Sequence, residues 1–284
     1  MTRASTEDLR TVYAEKSPNG VAYYGPVLVG LSTIAEASSR PESVRDVLRV
    51  LERLEPDDYT RYLDGYYRSG LERFGDAWRY ADICTVLLAA AKILAPRTYL
   101  EIGVRRGRSM AMVVSQSPTT ALVGFDLWVE NYGNMENPGA DFVEREMKRL
   151  GHRGSLALVG GNSHVTVPDY LSAHPDATFD LITVDGDHSP EGALADLRTV
   201  LPRLSLGGVI VFDDVVHPAH PELSEIWNRA VAEDGGIASH EFADLGYGVA
   251  LGLRTRPRDG AVGRTRAMAQ VRASLRRIRR RIAG

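Results

Sequence analysis

The residues with the most chemical content lie in Thr98–Met110, TYLEIGVRRGRSM. A short apolar run of Tyr99, Leu100 and Ile102 encloses one acid, Glu101, and leads to Gly103, Gly107 and Ser109. This pattern describes a buried strand that ends in a glycine-rich turn and a helix N-terminus. Glycine tolerates the dihedrals of such a turn and lets backbone N–H groups approach a ligand closely. The spacing G-x-x-x-G, with an acid two residues before the first glycine, differs from the G-x-G-x-x-G of dinucleotide pyrophosphate sites. An acid there repels a pyrophosphate and attracts a cation such as the amino acid end of S-adenosylmethionine. The turn points to a methyl donor rather than NAD.

Further groups with chemical capacity close other apolar runs. Asp126 follows Gly124-Phe125 and is placed to accept hydrogen bonds from ribose hydroxyls. Gly160-Gly161-Asn162-Ser163 offers an amide and a hydroxyl to an adenine edge. Asp185-Gly186-Asp187-His188 and Asp213-Asp214 close two more runs. Any one strand-ending Asp can be a plain turn or cap residue; five such groups on one rim form a site.

Asp185, Asp213 and Asp214 make a hard oxygen set suited to Mg²⁺ or another divalent cation. Without a cation, carboxylates crowded in this way raise one another's pKa. The alternative is that Asp213-Asp214 caps a turn and no metal binds. Methyl transfer from a sulfonium is an in-line displacement, so the protein must position the donor and produce an oxygen nucleophile. His188 and Asp187 are the candidate bases, with His188 preferred because imidazole titrates near neutrality; an orienting hydrogen bond is its alternative role. His217, in VVHPAHPELSEIW, is expected to line an acceptor pocket, and His220 to be a loop or cap residue. His152, His164, His174 and His240 have no metal-ligand spacing and read as structural or solvated. The loop WVENYGNMENPG brings Trp128 and Tyr132, whose faces suit a sugar or phenolic ring or, alternatively, cover the adenine.

These residues need a parallel sheet to hold them. Strands are expected at Thr98–Gly103, Ala121–Asp126, Ser155–Gly160, Phe179–Asp185 and Gly208–Asp213, alternating with helical segments. Ala238–Phe242 and Tyr247–Leu253 form an antiparallel hairpin at the edge. The expected fold is α/β: a Rossmann-like, doubly wound, mostly parallel sheet with an antiparallel edge strand, plus an N-terminal helical segment. Three zones follow: 1–76, a helical cap, lid or dimerisation segment; 77–253, the donor-binding domain; and 254–284, a basic tail. Within the first, Val44, Val47, Leu48, Leu51 and Leu54 share one helical face. Asp76–Leu94 reads as one long apolar helix feeding the first strand.

With these motifs in hand, residues 77–253 resemble a class I S-adenosylmethionine-dependent methyltransferase. The resemblance is to the small-molecule O-methyltransferases whose fourth strand runs into D-G-x-H, the macrocin and sugar O-methyltransferase type. The matching residues are Asp185-Gly186-Asp187-His188, Ala195-Asp196-Leu197 and Leu206-Gly207-Gly208-Val209-Ile210. The resemblance implies that Glu101 and Gly103 meet the donor's amino acid part, Asp126 the ribose and Asn162 and Ser163 the adenine, and it offers precedent for a divalent ion near Asp185, Asp213 and Asp214; Gly107, Ser109 and Asp185 complete the expected donor-binding set. Pro190 departs from it, standing where related sequences place an aromatic residue.

Composition narrows the alternatives. No apolar run is long enough to span a bilayer, and a single Cys, Cys84, excludes an internal disulfide and suits a cytoplasmic setting. The net charge of -3 hides an asymmetry: residues 254–284 hold eleven Arg and one acid, leaving 23 bases and 36 acids before them. No aromatic residue interleaves with these arginines, which disfavours nucleic acid. The aromatic N-terminal helices suit a homo-oligomer. The expected activity is O-methylation of a hydroxylated small molecule, first a sugar moiety of a natural product or polysaccharide precursor, then a phenol. The competing readings are a non-catalytic donor-binding scaffold and a hydroxylase-like relative on the same fold.

Overall fold

The computed structural model describes residues 27–130 and 135–257. Helices α1 (Leu31–Ser38), α2 (Pro41–Leu51), α3 (Asp58–Phe74) and α4 (Ile83–Leu94) precede the first strand. Then strands and helices alternate: β1 (Thr98–Ile102), α5 (Arg108–Gln116), β2 (Ala121–Asp126), α6 (Ala140–Arg149), β3 (Leu156–Gly160) and α7 (Ser163–Ala173). The chain continues through β4 (Phe179–Val184), α8 (Pro190–Val200), β5 (Leu204–Asp213), α9 (Leu223–Asp234), β6 (Ile237–Phe242) and β7 (Val249–Arg254).

The strands form one sheet in the order β3-β2-β1-β4-β5-β7-β6. β1 to β5 pair in parallel; β7 runs antiparallel to β5 and β6 antiparallel to β7. The Rossmann-like sheet and its antiparallel edge hairpin are those the sequence predicts. Strand order reverses beside β1, so the carboxyl ends of β1 and β4 open the crevice where open α/β sheets bind ligands.

Alternation along the strands feeds two cores. Tyr99, Leu122, Leu181, Val209, Val211 and Leu251 join α1 to α6 on one face. Leu100, Val123, Ile182, Ile210 and Phe212 join α7, α8 and α9 on the other. The predicted face of α2 is wholly buried in the first core, so the N-terminal helices and the sheet share apolar contacts. Residues Ile83–Ala91 of α4 are all buried, as a helix apolar on every side requires.

The long helix expected over Asp76–Leu94 is shorter than that. A single 3-10 turn at Gly75–Ala77 precedes an extended run, and the helix starts after Asp82. Asp82 and Thr85 close a reciprocal capping box, and the Tyr67 hydroxyl also donates to Asp82. The extended run packs Trp78 and Tyr80 against Tyr66 of α3. Tyr132 and residues 258–284 of the basic tail lie outside the described residues.

Candidate active site

Every residue of β1 from Tyr99 onward is buried, so the acid within it is anomalous. Glu101 is 0% exposed; its Oε1 accepts from Ser109, and its Oε2 is buried with no partner. Leaving such an oxygen unpaired costs about 1–3 kcal/mol. Burial pushes the Glu101 carboxyl up to about 8. A cationic group at this point would satisfy the oxygen and draw the carboxyl back to its charged form.

The turn that follows is built by backbone constraint. Gly103 has φ +88°, and a Cβ there would lie 1.8 Å from the Asp185 carbonyl oxygen. The glycine thus lets β1 and β4 end in contact. Gly107 (φ +73°) caps α5, where a Cβ would press on Val143 at 2.9 Å. Gly103→Ala is expected to destabilise the fold by more than about 3 kcal/mol, because backbone on both sides must move. Chemical denaturation would check this, and a loss below about 1 kcal/mol would show that the two strand ends are free to part.

Asp126 closes β2 and is engaged by the chain itself. Its Oδ2 accepts from the N–H groups of Val104 (2.9 Å) and Arg105 (2.7 Å), and its Oδ1 from Trp128 N–H (2.6 Å). Asn137 Nδ2 adds a fourth donor at 3.3 Å. The carboxylate therefore welds the β1 turn to the loop after β2. Trp128 lies against Gly160 at the end of β3. Asn162 Oδ1 caps α7 by accepting from His164 N–H, and Ser163 Oγ donates to Asp196 at 3.2 Å.

Across the β1/β4 crevice, Asp185, His188 and Asp214 bring one ligand atom each within 4.8 Å of one another. His188 Nε2 donates to Asp185 Oδ1 at 3.3 Å, and its Nδ1 lies 3.8 Å from Asp214 Oδ2. Burial alone would lower the His188 pKa, but Asp185 and Asp214 prevail and raise it. The sequence expectation grouped Asp213 with Asp185 and Asp214; among the described residues it is His188 that brings a ligand atom within 4.8 Å of those two carboxylates. Successive residues of a strand project in opposite directions, and Asp214 turns out of β5 with φ +61°. Only Asp214 of the pair meets His188. Burial, with Asp185 and Asp214 nearby, keeps Asp213 well above the usual carboxylate range, and Asp214 is pushed up to about 6 by burial and Asp185.

Asp187 is exposed and holds a separate position. Its Oδ1 accepts from Ser189 N–H at 2.8 Å, and its Oδ2 lies 3.9 Å from His164. Burial works against its ionisation, but the Ser189 hydrogen bond prevails and its pKa is lowered. His217 packs with tilted rings against Tyr247 (ring centroids 4.1 Å apart) and leans on His220, whose ring meets that of His188 at 5.2 Å. The loop carrying His217 and His220 thus forms the wall beside Asp214.

The sequence reading gave no role to two groups at the site. Asp196 is 1% exposed, accepts from Ser163, lies 3.6 Å from His164, and is pushed up to about 6 by burial. Its signal was an acid on the apolar face of α8, among Ala193, Leu197 and Val200. The second group is an arginine cluster. Asp57, before α3, reaches Arg105 at 2.5 Å and Arg106 at 3.8 Å, and Arg106 also pairs with Glu136 at 2.7 Å. Three of the four described non-glycine residues with positive φ, namely Arg105, Trp128 and Asp214, lie on this rim. Such outliers gather where a site fixes the backbone.

No curated protein sequence matches the chain. CalS11, a TDP-rhamnose 3'-O-methyltransferase of calicheamicin biosynthesis, is similar at 19% identity, with 77% of this chain and 93% of that one covered and a TM-score of 0.49. TomG, an O-methyltransferase from Streptomyces achromogenes, is 19% identical over 76% of this chain and 90% of its own, with a TM-score of 0.49. The O-methyltransferase from Bacillus cereus is 15% identical over 80% and 93%, with a TM-score of 0.48. Residues 100–215 match the family described as a methyltransferase domain. That stretch runs from β1 to just beyond β5 and contains Glu101, Asp126, Asp185 and Asp214.

Proposed function

We propose that the protein transfers the methyl group of S-adenosylmethionine to a hydroxyl of a small molecule, in the first instance a sugar moiety of a natural product or polysaccharide precursor. The observation that carries this reading is the unpartnered Oε2 of Glu101 beside Gly103. A buried acid at a glycine turn fits the ammonium of the donor and repels the phosphates of a dinucleotide. The preference for a sugar rests on the resemblance carried by Asp185-Gly186-Asp187-His188.

Asp185, His188 and Asp214, two carboxylates and an imidazole, are a donor set that fits a divalent cation. Such an ion, when bound, supplies a lower pKa to an acceptor hydroxyl. The chain's own part is to hold donor and acceptor in line and to receive the hydroxyl proton. Asp187, ionised at neutral pH and exposed at the rim, is the group able to take that proton. His188 Nε2 donates to Asp185, so without a cation the imidazole serves to orient that carboxylate. The hydroxyl oxygen forms a bond to the methyl carbon as the carbon–sulfur bond breaks, and S-adenosylhomocysteine leaves.

Calorimetric titration with S-adenosylmethionine, with and without Mg²⁺ and with NAD as control, tests the reading. Micromolar binding of the methyl donor and none of NAD is expected. Absence of donor binding in both conditions would remove the assignment.

A further inference from the structure

The arginine cluster beside the donor turn is unbalanced. Among the described residues, Asp57 and Glu136 neutralise Arg105 and Arg106, and no carboxylate lies within ion-pair distance of Arg108. Arg108 opens α5 directly after Gly107, and its side chain runs toward the helical layer. The guanidinium lies over the Tyr59 ring, 4.6 Å from its centroid, and contacts the Cys84 thiol. Its Nε is buried without a hydrogen-bond partner. A ring face and a thiol compensate a cation only in part. A desolvated guanidinium is at its best with a carboxylate accepting two parallel N–H bonds, and Nε supplies one side of that fork.

The contacts of Arg108, with Tyr59 and Cys84, are distinct from that of Glu101 with Ser109. Asp213 raises both the Tyr59 phenol and the Cys84 thiol, behind the larger effect of burial, so the cluster adjoins the Asp185–His188–Asp214 group. Glu101 is bonded to Ser109, the residue after Arg108, at the same turn. A single unpaired cation also matches a single negative charge better than a dianionic phosphate.

We propose that Arg108, seated on Tyr59, anchors a carboxylate of the acceptor, so that the substrate is an acidic hydroxylated molecule of the uronic or hydroxybenzoic acid class. The inference rests on the methyl-transfer reading above and narrows its substrate. Tyr59 fixes the guanidinium plane, and the acceptor's acid end is held there while its hydroxyl reaches the rim carboxylates.

The test is titration of the full-length protein, loaded with S-adenosylhomocysteine, with matched acid and amide pairs: 3,4-dihydroxybenzoate against its amide, and glucuronate against glucuronamide. In the wild type, at least one acid is expected to bind about ten-fold or more tightly than its amide. That preference should vanish in Arg108→Gln and survive in part in Arg108→Lys, with S-adenosylhomocysteine affinity unchanged in both. Unchanged product affinity also shows that each variant is folded. Equal binding of acid and amide, a preference that persists in Arg108→Gln, or no binding of either acid at millimolar concentration overturns the proposal. Loss of S-adenosylhomocysteine affinity in Arg108→Gln would assign the guanidinium to the donor's own carboxylate and overturn it as well. A wild type that takes up no S-adenosylhomocysteine would fail the methyl-transfer reading itself, and this inference with it.

Discussion

Glu101→Gln is expected to weaken S-adenosylhomocysteine binding by on the order of 100-fold while making the free protein more stable at pH 8. The two effects share one cause. Glu101 is wholly buried, with one oxygen unpartnered, and burial lifts its pKa from 4.5 to about 8. A group whose pKa is raised by folding adds stability that is full below its unfolded value and is lost as pH rises through the folded one. The wild type should therefore lose stability between about pH 4.5 and pH 8, by up to roughly 5 kcal/mol at 1.36 kcal/mol per unit. Glutamine has the same shape and no proton to lose. Its advantage over the wild type should be small at pH 5 and largest near pH 8. Thermal melts of both proteins across that range, with titrations of the product, check the pair of effects. A glutamine variant that binds the product normally would show that the ammonium is held elsewhere.

Asp214→Asn is expected to lower turnover by about 1000-fold or more, near 4 kcal/mol of barrier, and to leave S-adenosylhomocysteine affinity within a few-fold. Asparagine keeps the side-chain volume and tolerates the positive φ of this position nearly as well as aspartate. It removes one of the two carboxylates that flank His188. Mg²⁺ should raise the melting temperature of the wild type and not of the variant. Without added metal, the variant should be at least as stable, because one carboxylate fewer crowds Asp185 and Asp213. If product affinity falls together with turnover, the donor and the cation do not occupy separate halves of the rim.

The rim itself was legible in the sequence because chemistry at strand ends follows from local pattern. An acid inside an apolar run, two glycines and a helix opener define the β1 turn without any knowledge of the neighbours. What local pattern could not supply was direction. Asp213 and Asp214 are adjacent in sequence, yet β5 ends between them and only Asp214 turns toward His188. Asn162 and Ser163 were placed correctly at the end of β3, but part of their hydrogen bonding is spent on His164 N–H and Asp196. The break before α4 was hidden by apolar residues on both sides of Asp82. Only the reciprocal bonds with Thr85, and the ring contacts of Trp78 and Tyr80, mark the helix as starting there. The arginine cluster was illegible for a different reason. Its counter-charge, Asp57, lies 48 residues before Arg105, and no spacing rule joins a helix leader to a turn across that distance.

The same carboxylate limits how chains of this architecture can be recombined. Asp57 sits at the threshold of α3, and it neutralises arginines that belong to the turn after β1. A helical layer transplanted from another chain, with a neutral residue at this point, would leave Arg105 without its ion pair and Arg106 with one ion pair, to Glu136, in place of two. Changing what the protein accepts by trading one piece for another therefore means carrying the acid and its arginines across the splice together, as a single heritable unit.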